Sequence, residues 1–456
     1  RPITPVDIDT FETLLEREQP TARLRADDTS GSTVEVQIRD LENFHPDQIY
    51  RTQPVFRDLK DLRGRLRSPA TFEAAANELQ ATLRAVPDGA PPESTPQSES
   101  DAETLERLFG KPPDTDQLTA TADSGSQLTT LIRDVVASHV VEAPDPREDQ
   151  YVAAVDAAAC AQMRAILHDP GFQSLETAWR GLDFLVSHVE TDEDLQIFVL
   201  NVSKSELADA LAAASDSKTE QSLLYRRLVQ DRESEPFSLI AGDMAFGPDP
   251  QDMRLLAGLG EIAAHAGALF VASVSPETVG ARSWDEVAAD PGSIAGPSET
   301  WNSLRSSAVA QRVALMAPGF LLRSPYGAKL DPIDAFDFEE LERPGEEQGN
   351  FLWGPPALAA ITLIGQSFRE REWDLRLNAN LELIDLPLVS YEQDGVPHMR
   401  PCAETAFPDR AAGALLQAGP IPLLAERNRN AVRLAAFQSI SDRASDRSAR
   451  IGPFSL

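Results

Sequence analysis

FSLIAGDMAFGPDPQDMRLLAGLGEIAAHAGALFVASVS, residues 237–275, is the stretch on which the fold turns. Its first eight residues, FSLIAGDM (237–244), read as a β-strand. PQDMRLLAGLGEIAAHAG then carries apolar residues at helical spacing, the mark of an amphipathic helix. ALFVASVS (268–275) is a continuous apolar run, as expected of a parallel strand buried on both faces. Strand, helix and strand in succession make a βαβ unit with a right-handed crossover. The fold class that follows is α/β, with mixed sheets flanked by helices.

Further elements continue this pattern. Helices are predicted over 127–141, 150–189, 301–317 and 354–372, and strands over 195–203 and near 381–390 and 432–440. The N-terminal block, 1–86, reads as a small α/β segment. STVEVQIRDL (32–41) alternates Val34, Val36 and Ile38 with polar residues, the period of a half-buried strand. Val55, Phe56, Leu59, Leu62 and Leu66 recur at helical spacing, and a second helix follows Pro69 with Thr71 as its N-cap. Residues 87–125 are rich in proline, serine and acid, the composition of a disordered linker. Within it Leu105, Leu108 and Phe109 stand at i, i+3 and i+4, either a short recognition helix or an incidental apolar island. The third part is a larger α/β domain, 126–456.

Composition excludes several classes of function. The 73 carboxylates outnumber the 41 Lys and Arg, for a formal charge of -32. That excess repels nucleic acid and anionic membrane as main partners. It reads either as a device for solubility or as an acidic outer face on a large assembly. No apolar run is long enough to predict a membrane span, so direct membrane insertion is not expected. Cys160 and Cys402 are far apart and form no CxxC pair, which points to a reducing, cytoplasmic setting and gives no support to a zinc or redox site.

The chemistry of known enzyme motifs is missing. There is no GxxxxGK[ST], no GxSxG and no HExxH, and GLGEIAAHAG does not match GxGxxG. Asp243, at the end of a predicted strand, occupies a place that a catalytic acid would suit, but reads better as a turn or capping carboxylate. No catalytic residue, metal or cofactor is therefore expected.

ILHDPGFQSLETAWRGLDFLV (166–186) poses a separate question, because Trp179, Arg180 and Gly181 fall together within a helix. Asp169-Pro170 suits a helix start. Phe172, Leu175, Trp179, Leu182, Leu185, Val186 and Val189 share one face, which makes Trp179 a core residue. Gly181 would cost about 1 kcal/mol relative to Ala, so a neighbouring element is expected to approach closely there. Arg180 lies off the apolar face and is free to form a forked pair with a carboxylate.

The same stretch resembles a signature of the large contractile-sheath subunit of bacterial type VI secretion systems. LYRRL (224–228), AGDMAFG (241–247), WNSLRSSAVAQRVALMAPGFLLRSPYG (301–327), FDFEE (336–340), FLWGPPALA (351–359) and AGPIPLL (418–424) continue the resemblance in order, over about 126–440. Upstream, VEVQIRDLENFHPDQIYRTQPVFRDLKDLRGRL (34–66) is similar to the end of the small sheath subunit, with Phe44, Pro46 and Asp47 in its F-P-D element. The chain thus resembles a fusion of both subunits joined through 87–125, with the opening strands of the small one shortened or missing. It stops soon after FQSIS (437–441), where the large one normally continues into helices, as either a compact relative or an incomplete chain would.

The resemblance implies a two-part sheath-protein fold with extended arms that add strands to neighbouring protomers. It implies a bacterial, cytoplasmic structural subunit that polymerises around an inner tube protein, meets baseplate components, and contracts to drive the tube outward for effector delivery. A ring ATPase that recycles contracted sheath would be met by Leu105, Leu108 and Phe109. Arg323, Tyr326 and Gly327 in RSPYG, and Trp353 and Gly354 in LWG, are assigned to packing and assembly together with Trp179, Arg180 and Gly181. The alternatives are a static scaffold of sheath ancestry and a cytosolic enzyme of α/β hydrolase type acting near Asp243.

Overall fold

The computed structural model describes residues 2–25, 33–85, 147–213, 219–294, 298–328, 330–341, 348–374, 381–393 and 396–442. The predicted linker, the predicted helix over 127–141, and Leu105, Leu108 and Phe109 lie outside these residues. The chain forms two compact units, Arg1–Val55 with Cys160–Leu456, and Phe56–Ala159.

The first unit opens with β1 (Thr4–Val6), α1 (Phe11–Glu18), β2 (Thr21–Arg25), β3 (Thr33–Gln37) and α2 (Pro46–Thr52). β2 and β3 pair as an antiparallel hairpin. Val36 and Ile38 are buried while Glu35 and Gln37 are exposed, as the period-2 pattern requires. The second unit holds α3 (Arg57–Leu66), α4 (Phe72–Ala85) and the first part of α5 (Glu148–Leu167). Leu66, Phe72, Ala75, Val152 and Val155 make its core, and Arg63 grips Asp156 through two bonds of 2.6 and 3.1 Å. The Thr71 hydroxyl, expected to cap α4, donates to the Arg65 carbonyl (2.7 Å) and so finishes α3.

In the first unit, α6 (Pro170–His188) starts where sequence places it: Asp169 accepts bonds from the Gly171 and Phe172 amides, and Pro170 stands at N1. β4 (Ile197–Val199) pairs antiparallel with β1. Then follow α7 (Lys204–Ala212), α8 (Leu223–Leu228), β5 (Leu239–Phe246), α9 (Pro250–Ala266), β6 (Leu269–Val274), α10 (Trp284–Ala289), α11 (Glu299–Arg305), β7 (Val313–Ala317), β8 (Phe320–Leu321), β9 (Trp353–Gly354) and α12 (Pro356–Arg371). β10 (Glu382–Leu383), β11 (Ser390–Gln393), β12 (Val396–Met399), α13 (Asp409–Ala418), β13 (Ile421–Ala425) and β14 (Val432–Leu434) complete the described elements.

The main sheet runs in the order β10-β14-β13-β7-β6-β5. β5, β6, β7 and β13 are parallel, and β14 and β10 close one edge antiparallel. The predicted βαβ unit is therefore β5-α9-β6. Strand periodicity divides the core cleanly. Along β6, Phe270, Ala272 and Val274 face one cluster while Leu269 and Val271 face the other. β7 repeats this, with Val313, Leu315 and Ala317 on the first side and Ala314 and Met316 on the second. Burying each large side chain contributes about 1.5–3 kcal/mol, so a one-residue slip would reverse both faces at once.

Three expectations need correction. The helix predicted over 301–317 ends at Arg305, and Val313–Ala317 is a strand. Ala, Leu and Met favour helix, yet Ser306 and Ser307 turn their hydroxyls onto the Asn302 and Leu304 carbonyls, and the buried slot between β6 and β13 sets the rest. α13 and β13 are additional elements within a stretch given no assignment from sequence. The strand expected over 381–390 contributes only Glu382–Leu383 to the main sheet, and β11 pairs separately with β12.

Gly181 marks the close approach predicted there. An added Cβ would lie 2.6 Å from Cδ1 of Leu358 on α12. Gly365 of α12 reciprocates, its added Cβ falling 2.8 and 3.0 Å from the two γ-methyls of Val189 at the end of α6. The two sites differ in compliance, since a leucine tip can swing aside whereas buried, β-branched Val189 is stiff. Gly365→Leu should therefore cost about 1–3 kcal/mol by overpacking, read as a lower denaturant midpoint at unchanged slope. Gly181→Ala should stay within about 1 kcal/mol of the parent, because helix propensity offsets the small shift of Leu358.

Candidate functional site

Arg323 is the centre of the first constellation. It is 8% exposed, between Glu176 at 0% and Glu340 at 1%. Its Nε donates to Glu176 (2.8 Å), Nη1 to Glu340 (2.7 Å) and the Ser324 carbonyl (3.2 Å), and Nη2 to Glu340 (3.0 Å) and Glu176 (3.4 Å). All five guanidinium donors are thereby used. Arg180 donates from Nε to Glu176 (2.7 Å) and from Nη2 to the Tyr326 hydroxyl (3.0 Å). Arg323, not Arg180, makes the forked carboxylate pair expected near this helix.

The cluster balances two guanidinium groups against two carboxylates, so its desolvation is compensated only while all four are present. Burial opposes ionisation of Glu340, but the Arg323 charge and hydrogen bonds from Arg323 and the Tyr326 amide hold its carboxyl down at about 2, with the His168 ring 3.6 Å away. Burial likewise opposes the charge on Arg323, and Glu176 and Glu340 override it, keeping the guanidinium firmly protonated. Burial pushes the Tyr326 phenol up to about 12 against the pull of Arg323 and Arg180. The phenol is therefore a neutral hydrogen-bonding group here.

This cluster also seats the N-terminal F-P-D element. Phe44 packs edge-on against Phe172 (5.5 Å), and His45 against Tyr326 (5.0 Å). The Asp47 carboxylate accepts bonds from the Asp334 amide (3.0 Å) and the Ala335 amide (2.9 Å). Tyr50 meets Phe336 at 4.7 Å. Gly327 has no Cβ where the Glu339 carboxylate passes.

The remaining sequence-predicted residues fall elsewhere. Trp179 is half-buried and meets Phe11 at 6.1 Å, at the rim of the core instead of within it. Trp353 and Gly354 form β9, paired with Leu321 and Phe320. They line a second feature, a cleft of about 340 Å³ at the C-terminal ends of β5, β6 and β7. Asp243 also lines it. Asp243 is neither turn nor cap: it lies within β5, where the register with β6 jumps from Ala241 to Ala245, and it has no hydrogen-bond partner among the described residues. Asp243 is exposed at the mouth of the cleft, and the protein atoms crowded around it push its carboxyl upward from the ordinary range. Among the described residues, no group of three or more potential ligands is placed to hold a metal.

Glu176 and Glu340 are the buried, paired carboxylates that sequence reading missed. The i,i+4 spacing of Glu176 and Arg180 was the available signal, but a glutamate beside an apolar stripe ordinarily reads as solvated.

The comparisons with known proteins agree with this geometry. Residues 149–441 match the family described as EvpB/VC_A0108, tail sheath N-terminal domain. The chain is also similar to the type VI secretion system sheath protein TssC1 of Pseudomonas aeruginosa, 35% identical over 305 residues. That alignment covers 64% of this chain and 61% of the relative, so the chain spans about three fifths of the relative's length.

Arg323→Met should destabilise the chain by about 3–5 kcal/mol by stranding two buried carboxylates, measured by denaturant unfolding. The folded Glu340 carboxyl titrates at about 2, below its ordinary 4.5, so its stabilising contribution is complete above pH 4.5. It should be lost as pH falls from about 4.5 towards 2, and Glu340→Gln should flatten the acid limb of the stability profile in that window.

Proposed function

The chain belongs to the type VI secretion tail sheath family, and we propose that it is the repeating subunit of a contractile sheath, with the small and large sheath components joined in one polypeptide. Membership of this structural family means that it is not an enzyme. The observation that carries the reading is the match over 149–441, which includes the whole parallel sheet and every residue of the Arg323 cluster. The seating of Phe44, His45 and Asp47 on Phe172, Tyr326 and the 334–335 amides supports the fusion. A small-subunit-like segment, 1–86, thereby supplies in cis what a separate protein would otherwise bring, with 87–125 as the join and 126–456 as the large-subunit-like domain.

A sheath needs contacts that do not close on themselves, because heterologous interfaces propagate into a filament. Extended arms that add strands to a neighbouring sheet meet this need, since main-chain pairing tolerates rotation of the bodies. Contraction is then a switch between two packings of nearly rigid protomers, and a buried, fully bonded ion cluster suits a body that must move without deforming. The partners of this reading are further copies of the chain, an inner tube protein and baseplate components in the bacterial cytoplasm, with a recycling ATPase engaging Leu105, Leu108 and Phe109. Trp179, Arg180, Gly181, Arg323, Tyr326, Gly327, Trp353 and Gly354 act as structural residues. No helix among the described residues is long and apolar enough to cross a membrane.

Purified full-length protein should form tubes or rings visible by negative stain without nucleotide, metal or a second sheath protein. A monodisperse monomer at high concentration would contradict the proposal.

A further inference from the structure

The cleft at the ends of β5, β6 and β7 is not used by the sheath reading. At about 340 Å³ it falls at the lower end of the roughly 300–1,000 Å³ typical of small-ligand sites. It occupies the place where α/β sheets ordinarily receive ligands, beyond the C-terminal ends of the strands. Trp284, Trp353, Met244 and Met316 give it an apolar wall.

Its charged groups are all of one sign. Asp243 and Glu404 bring carboxylates to the lining, and no Lys, Arg or His lines it. The Glu404 carboxylate accepts a bond from the Gly319 amide (3.3 Å). Burial raises its carboxyl above the ordinary range, offset by that bond and reinforced by the charge of Asp285. Asp243 owes its place to the irregular pairing of β5 with β6, where two extra residues re-aim the strand. Ser273, only 7% exposed, also lines the cleft, and its hydroxyl has no hydrogen-bond partner among the described residues. The Ser275 hydroxyl beside it is likewise buried and unsatisfied. Orphaned buried hydroxyls call for an explanation, and a polar ligand in the cleft supplies one.

We propose that this cleft is a binding site for an organic cation on an apolar stem, a guanidinium or alkylammonium group held by Asp243 and Glu404 with its stem against the tryptophans. A positive charge would pair with both carboxylates lining the cleft, and an indole face attracts a cation as well as a methylene chain. The same chemistry is offered by a free small molecule and by an arginine side chain of this protein, such as Arg443, Arg447 or Arg450 near its C-terminus.

The test is titration of full-length protein with n-butylguanidinium, followed by calorimetry and saturation-transfer NMR, with neutral n-butylurea as the shape control. Saturable binding of the cation is expected, at least tenfold tighter than the urea, and weakened at least tenfold by Asp243→Asn and by Glu404→Gln, each checked for folding by circular dichroism. Binding that appears only after Arg443, Arg447 and Arg450 are all changed to Ala would support the site and identify the chain itself as its occupant. Equal affinity for cation and urea, undiminished affinity in both folded carboxylate variants, or no binding to either the parent or the triple-arginine variant would overturn the proposal.

Discussion

A single arginine with every donor satisfied organises the functional part of this molecule. Arg323 comes from the segment after β8, Glu176 from α6, 147 residues earlier in the chain, and Glu340 from the FDFEE segment, 17 residues later. Two carboxylates cannot share a water-free interior unless cations accompany them, so these segments must arrive together. Arg180 and Tyr326 extend the network to the surface on which Phe44 and His45 rest. The ion cluster thus fixes both the body and the seat of the N-terminal segment.

The sheet supplies the frame that makes this placement reproducible. β6 and β7 are buried along their whole length and divide their side chains between two cores. Such a strand has only one register, because either slip would exchange residues of different size between faces already filled. The frame also leaves a consequence at its C-terminal edge: the strands end where Trp353, Gly354 and Asp243 converge. One architecture therefore carries a rigid structural cluster and, a short distance along the chain from it, an acidic cleft.

Much of the frame was legible in sequence, and the reasons are local. The apolar run ending at Ser275 and the helix before it have unambiguous periods, and Asp169-Pro170 sets the start of α6 by cap and ring alone. Val313–Ala317 was misread because its composition favours helix while its burial demands strand, and burial is a tertiary fact. The aromatic–cation–glycine triplet at 179–181 is conspicuous in the sequence, but its three positions diverge in the fold. Gly181 meets Leu358, Arg180 joins the ion cluster, and Trp179 meets Phe11 at the rim. Glu176 and Glu340 were hidden because nothing in a glutamate's immediate neighbours announces that an arginine 147 or 17 residues away will bury it.

The sheath proposal requires that this polypeptide associate with copies of itself as the repeating protomer. Helical reconstruction of the purified protein by cryo-electron microscopy tests this most directly. The prediction is a continuous lattice with one chain per asymmetric unit, in which Phe44 and Asp47 contact Phe172 and Ala335 of the same chain. A closed, non-helical oligomer, or a lattice that incorporates a second sheath polypeptide in the place of residues 44–47, would contradict it.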